Sequence, residues 1–121
     1  MSAGSYNLFI DQGSDYALQL TVKEDGSIKN LSGYSARAQM RSTKTAADIT
    51  ATFTCTVTNP TGGVLKMQLS NTVTEGIAAG LYYYDLELYT SGASPIVYRL
   101  MEGQATVSQE VIEEVMAGDL E

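Results

Sequence analysis

A period of two runs through most of this chain, and it constrains the fold more than any other feature. Tyr16, Leu18, Leu20 and Val22 alternate with Asp15, Gln19, Thr21 and Lys23, with Ala17 neutral between them. Tyr34, Ala36, Ala38 and Met40 alternate with Ser35, Arg37, Gln39 and Arg41. Ile49, Ala51, Phe53, Cys55 and Val57 alternate with Thr50, Thr52, Thr54, Thr56 and Thr58. Leu65, Met67 and Leu69 alternate with Lys66, Gln68 and Ser70, and Tyr82, Tyr84, Leu86 and Leu88 with Tyr83, Asp85, Glu87 and Tyr89. Successive side chains of a strand point to opposite faces, so each run reads as a half-buried strand. Enrichment in Thr, Val, Ile and Tyr supports that reading.

The breaks between runs carry turn chemistry. Glu24-Asp25-Gly26 and Asn59-Pro60-Thr61-Gly62-Gly63 are hairpin signals, and Ser91-Gly92-Ala93-Ser94-Pro95 separates the last hairpin. Strands are expected near 5–11, 15–23, 27–31, 34–41, 49–58, 64–70, 81–90, 95–102 and 104–108, with an exposed loop over 42–48. The spacing of Thr72 and Glu75 is that of a capping box and predicts a short helical turn near 71–79, held to about one turn by Gly76 and Gly80. Many short strands with polar turns and no long helices between them give an all-β antiparallel sandwich or barrel and remove the parallel α/β folds. Tyr16, Tyr34, Tyr82 and Tyr84 fall on the core side. Tyr82 and Tyr84 follow directly on the Gly80 turn, where a tyrosine hydroxyl bonded to nearby backbone would make a tyrosine corner.

With 121 residues the chain suits one domain, read as a body over 1–108 and an acidic tail over 109–121. The net charge is −7, and Glu110, Glu113, Glu114, Asp119 and Glu121 supply five of the acids, leaving −7 + 5 = −2 on the rest. That balance disfavours nucleic acid and anionic membranes as partners. Val111, Ile112, Val115 and Met116 stand at helical spacing within the tail. The tail reads either as a solvated terminus or as an arm docking on a neighbouring subunit. The single cysteine, Cys55, permits no intrachain disulfide, which fits folding in a reducing cytosol. The first residues lack the basic start and apolar run of a signal peptide. No stretch nears the ~18–20 apolar residues of a membrane helix.

Chemistry finds little footing. There is no histidine, which removes the commonest general base, the usual zinc ligand and the Ser-His-Asp and Cys-His constellations. Cys55, between Phe53 and Val57 on a core face, reads as a small buried hydrophobe rather than a nucleophile. Asp11-Gln12-Gly13-Ser14-Asp15 is too sparse for a calcium loop, and Gly62-Gly63 precedes a strand and serves as a turn. The reading is therefore not an enzyme, with no cofactor, no metal and no catalytic residue. Tyr83, Asp85, Glu87 and Tyr89 share one strand face. They read as an outward polar face partly covered by an adjoining subunit or, with Tyr98, as a carbohydrate platform for a host glycan.

Two stretches together carry a family resemblance. One is DQGSDYALQLTVKEDGSIKNLSGYSARAQMRS; the other is GGVLKMQLSNTVTEGIAAGLYYYDLELY followed by a hairpin and Glu102-Gly103-Gln104-Ala105-Thr106-Val107. In this order they resemble the small immunoglobulin-like domains of tailed-phage virion proteins, such as the N-terminal domain of baseplate upper proteins and the stand-alone virion proteins of T4-like cyanophages. The resemblance spans residues 6–108. It implies an immunoglobulin-like β-sandwich of about eight strands. It also implies a virion protein of tail, baseplate or neck, made in the host cytoplasm, that contacts other virion proteins in a multi-copy symmetric assembly. Baseplate upper proteins carry further C-terminal domains where this chain has its acidic tail, which favours an accessory or adaptor role. A head decoration protein would meet the same structural demands.

Overall fold

In a computed structural model describing residues 4–110, the alternating runs become strands of one curled sheet. In chain order the strands are β1 (Gly4–Ser5), β2 (Leu8–Asp11), β3 (Tyr16–Thr21), β4 (Lys23–Glu24), β5 (Ser27–Ile28), β6 (Ser35–Arg41), β7 (Ala51–Asn59), β8 (Val64–Leu69), β9 (Gly80–Tyr89) and β10 (Val97–Ser108). Among the described residues a single helix, α1 (Asn71–Glu75), joins β8 to β9. The sheet order is β1-β10-β9-β6-β7-β8-β3, with β2 also on β10, and β4 and β5 form a separate hairpin.

β7 belongs to two layers. Its first residues, Ala51–Phe53, pair with β6, and the stretch from Thr54 to Asn59 pairs with β8. The sheet turns over on itself at this strand, so β10-β9-β6 faces β7-β8-β3 across one apolar core. Leu8, Ile10, Met40, Leu65, Met67, Leu86 and Leu88 are fully buried there and come from both layers. Each such side chain contributes about 1.5–3 kcal/mol by leaving water. The fold is an all-β sandwich built from a curled sheet, as the period of two requires.

The short connections follow local chemistry. Asp25 and Gly26 both adopt positive φ, 53° and 80°, as a two-residue type I′ hairpin between β4 and β5 demands. The edges of the sandwich are tied by side chains. Thr74, the one buried polar residue among those described, donates its hydroxyl to the Ser14 carbonyl at 2.8 Å, and Asp15 accepts from the backbone and side-chain nitrogens of Asn71 at 2.8 and 2.9 Å. Asp15 therefore anchors a helix start.

Several sequence expectations need correction. The expected break between 95–102 and 104–108 is absent. β10 runs through Gly103, and its one irregularity, a register shift between Arg99 and Met101, lies earlier. Conversely, the strand expected at 5–11 is interrupted at Tyr6–Asn7, where the Asn7 side-chain oxygen accepts from the Gln104 N–H at 3.1 Å in place of a backbone partner. The segment 27–31 is strand only at Ser27–Ile28. Ile49 precedes β7 and is exposed, not inward. The helix is capped by Ser70, whose hydroxyl accepts from the Val73 N–H at 3.3 Å, not by a Thr72–Glu75 box. The tyrosines fall on the expected side. Tyr84 is buried, and Tyr16, Tyr34 and Tyr82 pack against the core. Tyr82 donates to the Ala78 carbonyl at 2.6 Å, the local bond expected of a tyrosine corner.

Candidate functional site

The outward side chains of β9 meet those of two neighbours at fixed register. Tyr83, Asp85, Glu87 and Tyr89 lie opposite Arg41, Gln39, Arg37 and Ser35 of β6. On the other side they lie against Gln104, Glu102, Arg99 and Val97 of β10. Directly paired residues share a face, so the four residues singled out in the sequence stand together. Tyr83, Asp85 and Glu87 line the floor of an open groove of about 550 Å³, rimmed by Thr43 and Lys44 from the loop after β6, while Tyr89 lies outside its lining.

The charges in this groove are paired unequally. Arg37 Nε donates to Glu87 Oε1 at 2.8 Å, and its guanidinium stands 4.5 Å from the centre of the Tyr89 ring. Arg99 lies 3.7 Å from Asp85 and 3.5 Å from Glu102. The other end is different. Arg41 donates to the Ala46 and Ala47 carbonyls at 2.8 and 3.0 Å and to Gln39 at 3.2 Å, but to no carboxylate. Lys44 stands 5.9 Å from the centre of the Tyr83 ring. Four bases (Arg37, Arg41, Lys44, Arg99) against three acids (Asp85, Glu87, Glu102) leave this face at 4 − 3 = +1 on a chain whose net charge is −7.

The arrangement presents charged and aromatic side chains on one face. Both carboxylates of β9 lie within ion-pair distance of arginines. Tyr83 and Tyr89 are six residues apart on one strand, ~20 Å at ~3.3 Å per residue, too far to stack on one sugar ring together. Each ring is also approached by a cation. Among the described residues no group of three or more His, Cys, Asp or Glu could hold a metal ion. No helix among them is long and apolar enough to cross a membrane.

Tyr98 does not join the face. It pairs with the inward Leu88, packs against Tyr34 at 6.1 Å between ring centres, and shares Lys29, whose amine is 5.2 Å from each ring. Cys55 is half-buried on the core side, and desolvation pushes its thiol up to about 11; a thiolate is correspondingly scarce at neutral pH. Val111, Ile112, Val115 and Met116 lie outside the described residues. Sequence reasoning missed Arg37, Arg41, Lys44 and Arg99 as members of the groove. Arg37 and Arg41 were legible as outward, but nothing in a period of two says which strands are neighbours.

Among solved structures, the chain is similar to the N-terminal domain of ORF48 of phage TP901-1, with a TM-score of 0.55 at 13% identity, covering 88% of this chain and 98% of that one. It is also similar to a chain of the structure "Structural basis of T cell specificity and activation by the bacterial superantigen toxic shock syndrome toxin-1", with a TM-score of 0.49 at 13% identity, covering 84% and 92%. No protein-family model matches the sequence. No curated protein matches it. At these identities the likeness is one of fold, and the fold shared with the phage domain extends over nearly all of that domain.

Proposed function

We propose that this chain is a non-enzymatic structural component of a bacteriophage particle, an accessory or adaptor of tail, baseplate or neck that acts by protein–protein contact. The observation that carries the reading is the match of fold over 98% of a phage protein's N-terminal domain. The ordered L-S-G-Y, G-x-Y-x-Y-D-L and E-G-x-A-x-V segments support it from the sequence side. So does the β10-β9-β6 layer facing a β7-β8-β3 layer with the first strand parallel to the last, an arrangement suited to an immunoglobulin-like sandwich.

The groove on β6, β9 and β10 is the contact surface in this reading. Arg37 is braced by Glu87 and the Tyr89 ring, Arg99 by Asp85 and Glu102, and Tyr83 is partly exposed. Aromatic and arginine side chains held in this way are typical anchors of interfaces. Repetition of one such contact around a symmetric particle would use many copies. Purified particles of the phage that encodes the chain are expected to contain it in several copies when analysed by mass spectrometry. Particles lacking it would sink the proposal.

A further inference from the structure

We propose that the outer face of β2, β10 and β9 is the docking surface for this chain's own C-terminal segment, residues 111–121. Two independent features of that face match the apolar and acidic character of the segment.

The first is apolar. Phe9 pairs with Thr106, and Thr106 pairs with Leu81, so the three form one row across the outer face. Phe9 is 75% exposed and Leu81 49% exposed, the kind of solvent-facing apolar row that a covering element removes from water. The second is cationic. The next row along is Gln104, Tyr83 and Arg41, with Lys44 beside Tyr83. Neither Arg41 nor Lys44 has a carboxylate within ion-pair distance among the described residues.

The segment starts from a fixed point at this end of the sheet. Gln12 N–H donates to the Ser108 carbonyl at 3.0 Å, and Glu110 N–H donates to the Gln12 side chain at 2.9 Å. From there the sequence presents Val111, Ile112, Val115 and Met116 with Glu113 and Glu114 between the two apolar pairs, and then Asp119, Leu120 and Glu121. A chain turning back over the face meets the Phe9–Leu81 row first and the Arg41–Lys44 corner after it. The distance suits: from Ser108 to Gln104 is ~13 Å along the strand at ~3.3 Å per residue, and eleven residues cover ~16 Å at 1.5 Å per residue if helical. At helical spacing the four apolar residues stand on one side. The residues before Glu110 carry seven bases and nine acids, so most of the body repels an acidic segment. The tether raises the local concentration of the segment, and a weak contact suffices to populate the docked state.

The test uses the full chain carrying Ala117→Cys with a nitroxide on the new thiol. Cys55 reacts slowly at neutral pH because burial holds its thiol up at about 11. Docking predicts loss of amide NMR intensity at Phe9, Leu81, Tyr83 and Thr106 and none at Thr54, Thr56 and Thr58 on the far layer. Phe9→Ser combined with Leu81→Ser, both at exposed positions, should restore the lost peaks while the rest of the spectrum stays folded. Lys44→Glu should restore them in part, as should raising the salt to 1 M, where screening acts within ~3 Å. Retained broadening in the serine variant, broadening at Thr54–Thr58, or no broadening overturns the proposal. So does broadening of an isotope-labelled, nitroxide-free copy by an unlabelled, nitroxide-bearing one, which would place the segment on a second molecule.

Discussion

At the scale of single residues, the placement of Gly103 explains more than any other side chain. A Cβ on Gly103 would lie 2.3 Å from the Tyr6 carbonyl oxygen and 2.9 Å from its carbon, both backbone atoms. The bare glycine lets the first segment of the chain press close against β10 at the break between its two parallel pairings, β1 and β2. The Tyr6 carbonyl then accepts from the Tyr84 hydroxyl, while Tyr6 N–H donates to the Glu102 carbonyl at 2.9 Å. Gly103→Ala is therefore expected to destabilise the fold by about 1–3 kcal/mol, the usual cost of forced overpacking, read as a lower midpoint in urea. The tyrosines add a pH dependence. Burial, with the nearby Tyr6 hydroxyl second, pushes Tyr16 up to about 12 from an ordinary 10.0, and burial also raises Tyr84. An acid whose folded pKa is raised stabilises the fold fully below the unfolded value and loses that contribution as pH climbs to the folded one. With the raised Cys55 thiol included, which begins to act at its ordinary value of 9.0, stability measured by urea titration is expected to hold to pH 9 and to fall from there to pH 12. Tyr16→Phe should make that fall shallower.

At the scale of elements, the helix gives the sharpest contrast between two assignments. Ser70→Ala removes the hydroxyl that accepts from Val73 N–H, and the loss of an N-cap costs about 1 kcal/mol. Thr72→Ala, at an exposed position inside the helix, is expected to be neutral, since alanine is the better helix former. Comparison of the two denaturation midpoints decides between the Ser70 cap and the Thr72–Glu75 spacing. The sequence misled here because two hydroxyl residues stand two positions apart and only backbone geometry chooses between them. It misled at Gly103 for a related reason. A glycine in a strand signals either a break or a close approach, and the approaching carbonyl, at Tyr6, lies far away in sequence. What the alternation did disclose was the face of each residue. The inward sets Leu65-Met67-Leu69 and Tyr84-Leu86-Leu88 are buried throughout, because the pleat alone fixes that. Strand neighbours are set by long-range pairing that no local pattern encodes. The β9 half of the groove could therefore be read from the sequence, while the β6 and β10 halves could not.

At the scale of the whole molecule, the question is whether the two layers can part. β7 is built into both, so neither layer is complete without it. Phe53 sits where that strand passes from β6 to β8, 3% exposed, with its ring edge-on to Tyr16 of β3 and tilted against Tyr84 of β9, each at 6.4 Å between centres. One side chain thus touches the last strand of one layer and the middle strand of the other. Phe53→Ala should cost about 3–5 kcal/mol, as large-to-small changes at a buried aromatic do. Against a total of about 5–15 kcal/mol for a domain, that is about a fifth of the stability or more. Because both layers lose the same contact, unfolding of the variant should remain one transition. Far-ultraviolet circular dichroism, which follows the strands, and tyrosine fluorescence, which follows the packing, are expected to give the same lowered midpoint. Separate midpoints would mean that the layers fold apart, and that β7 does not bind them into one unit.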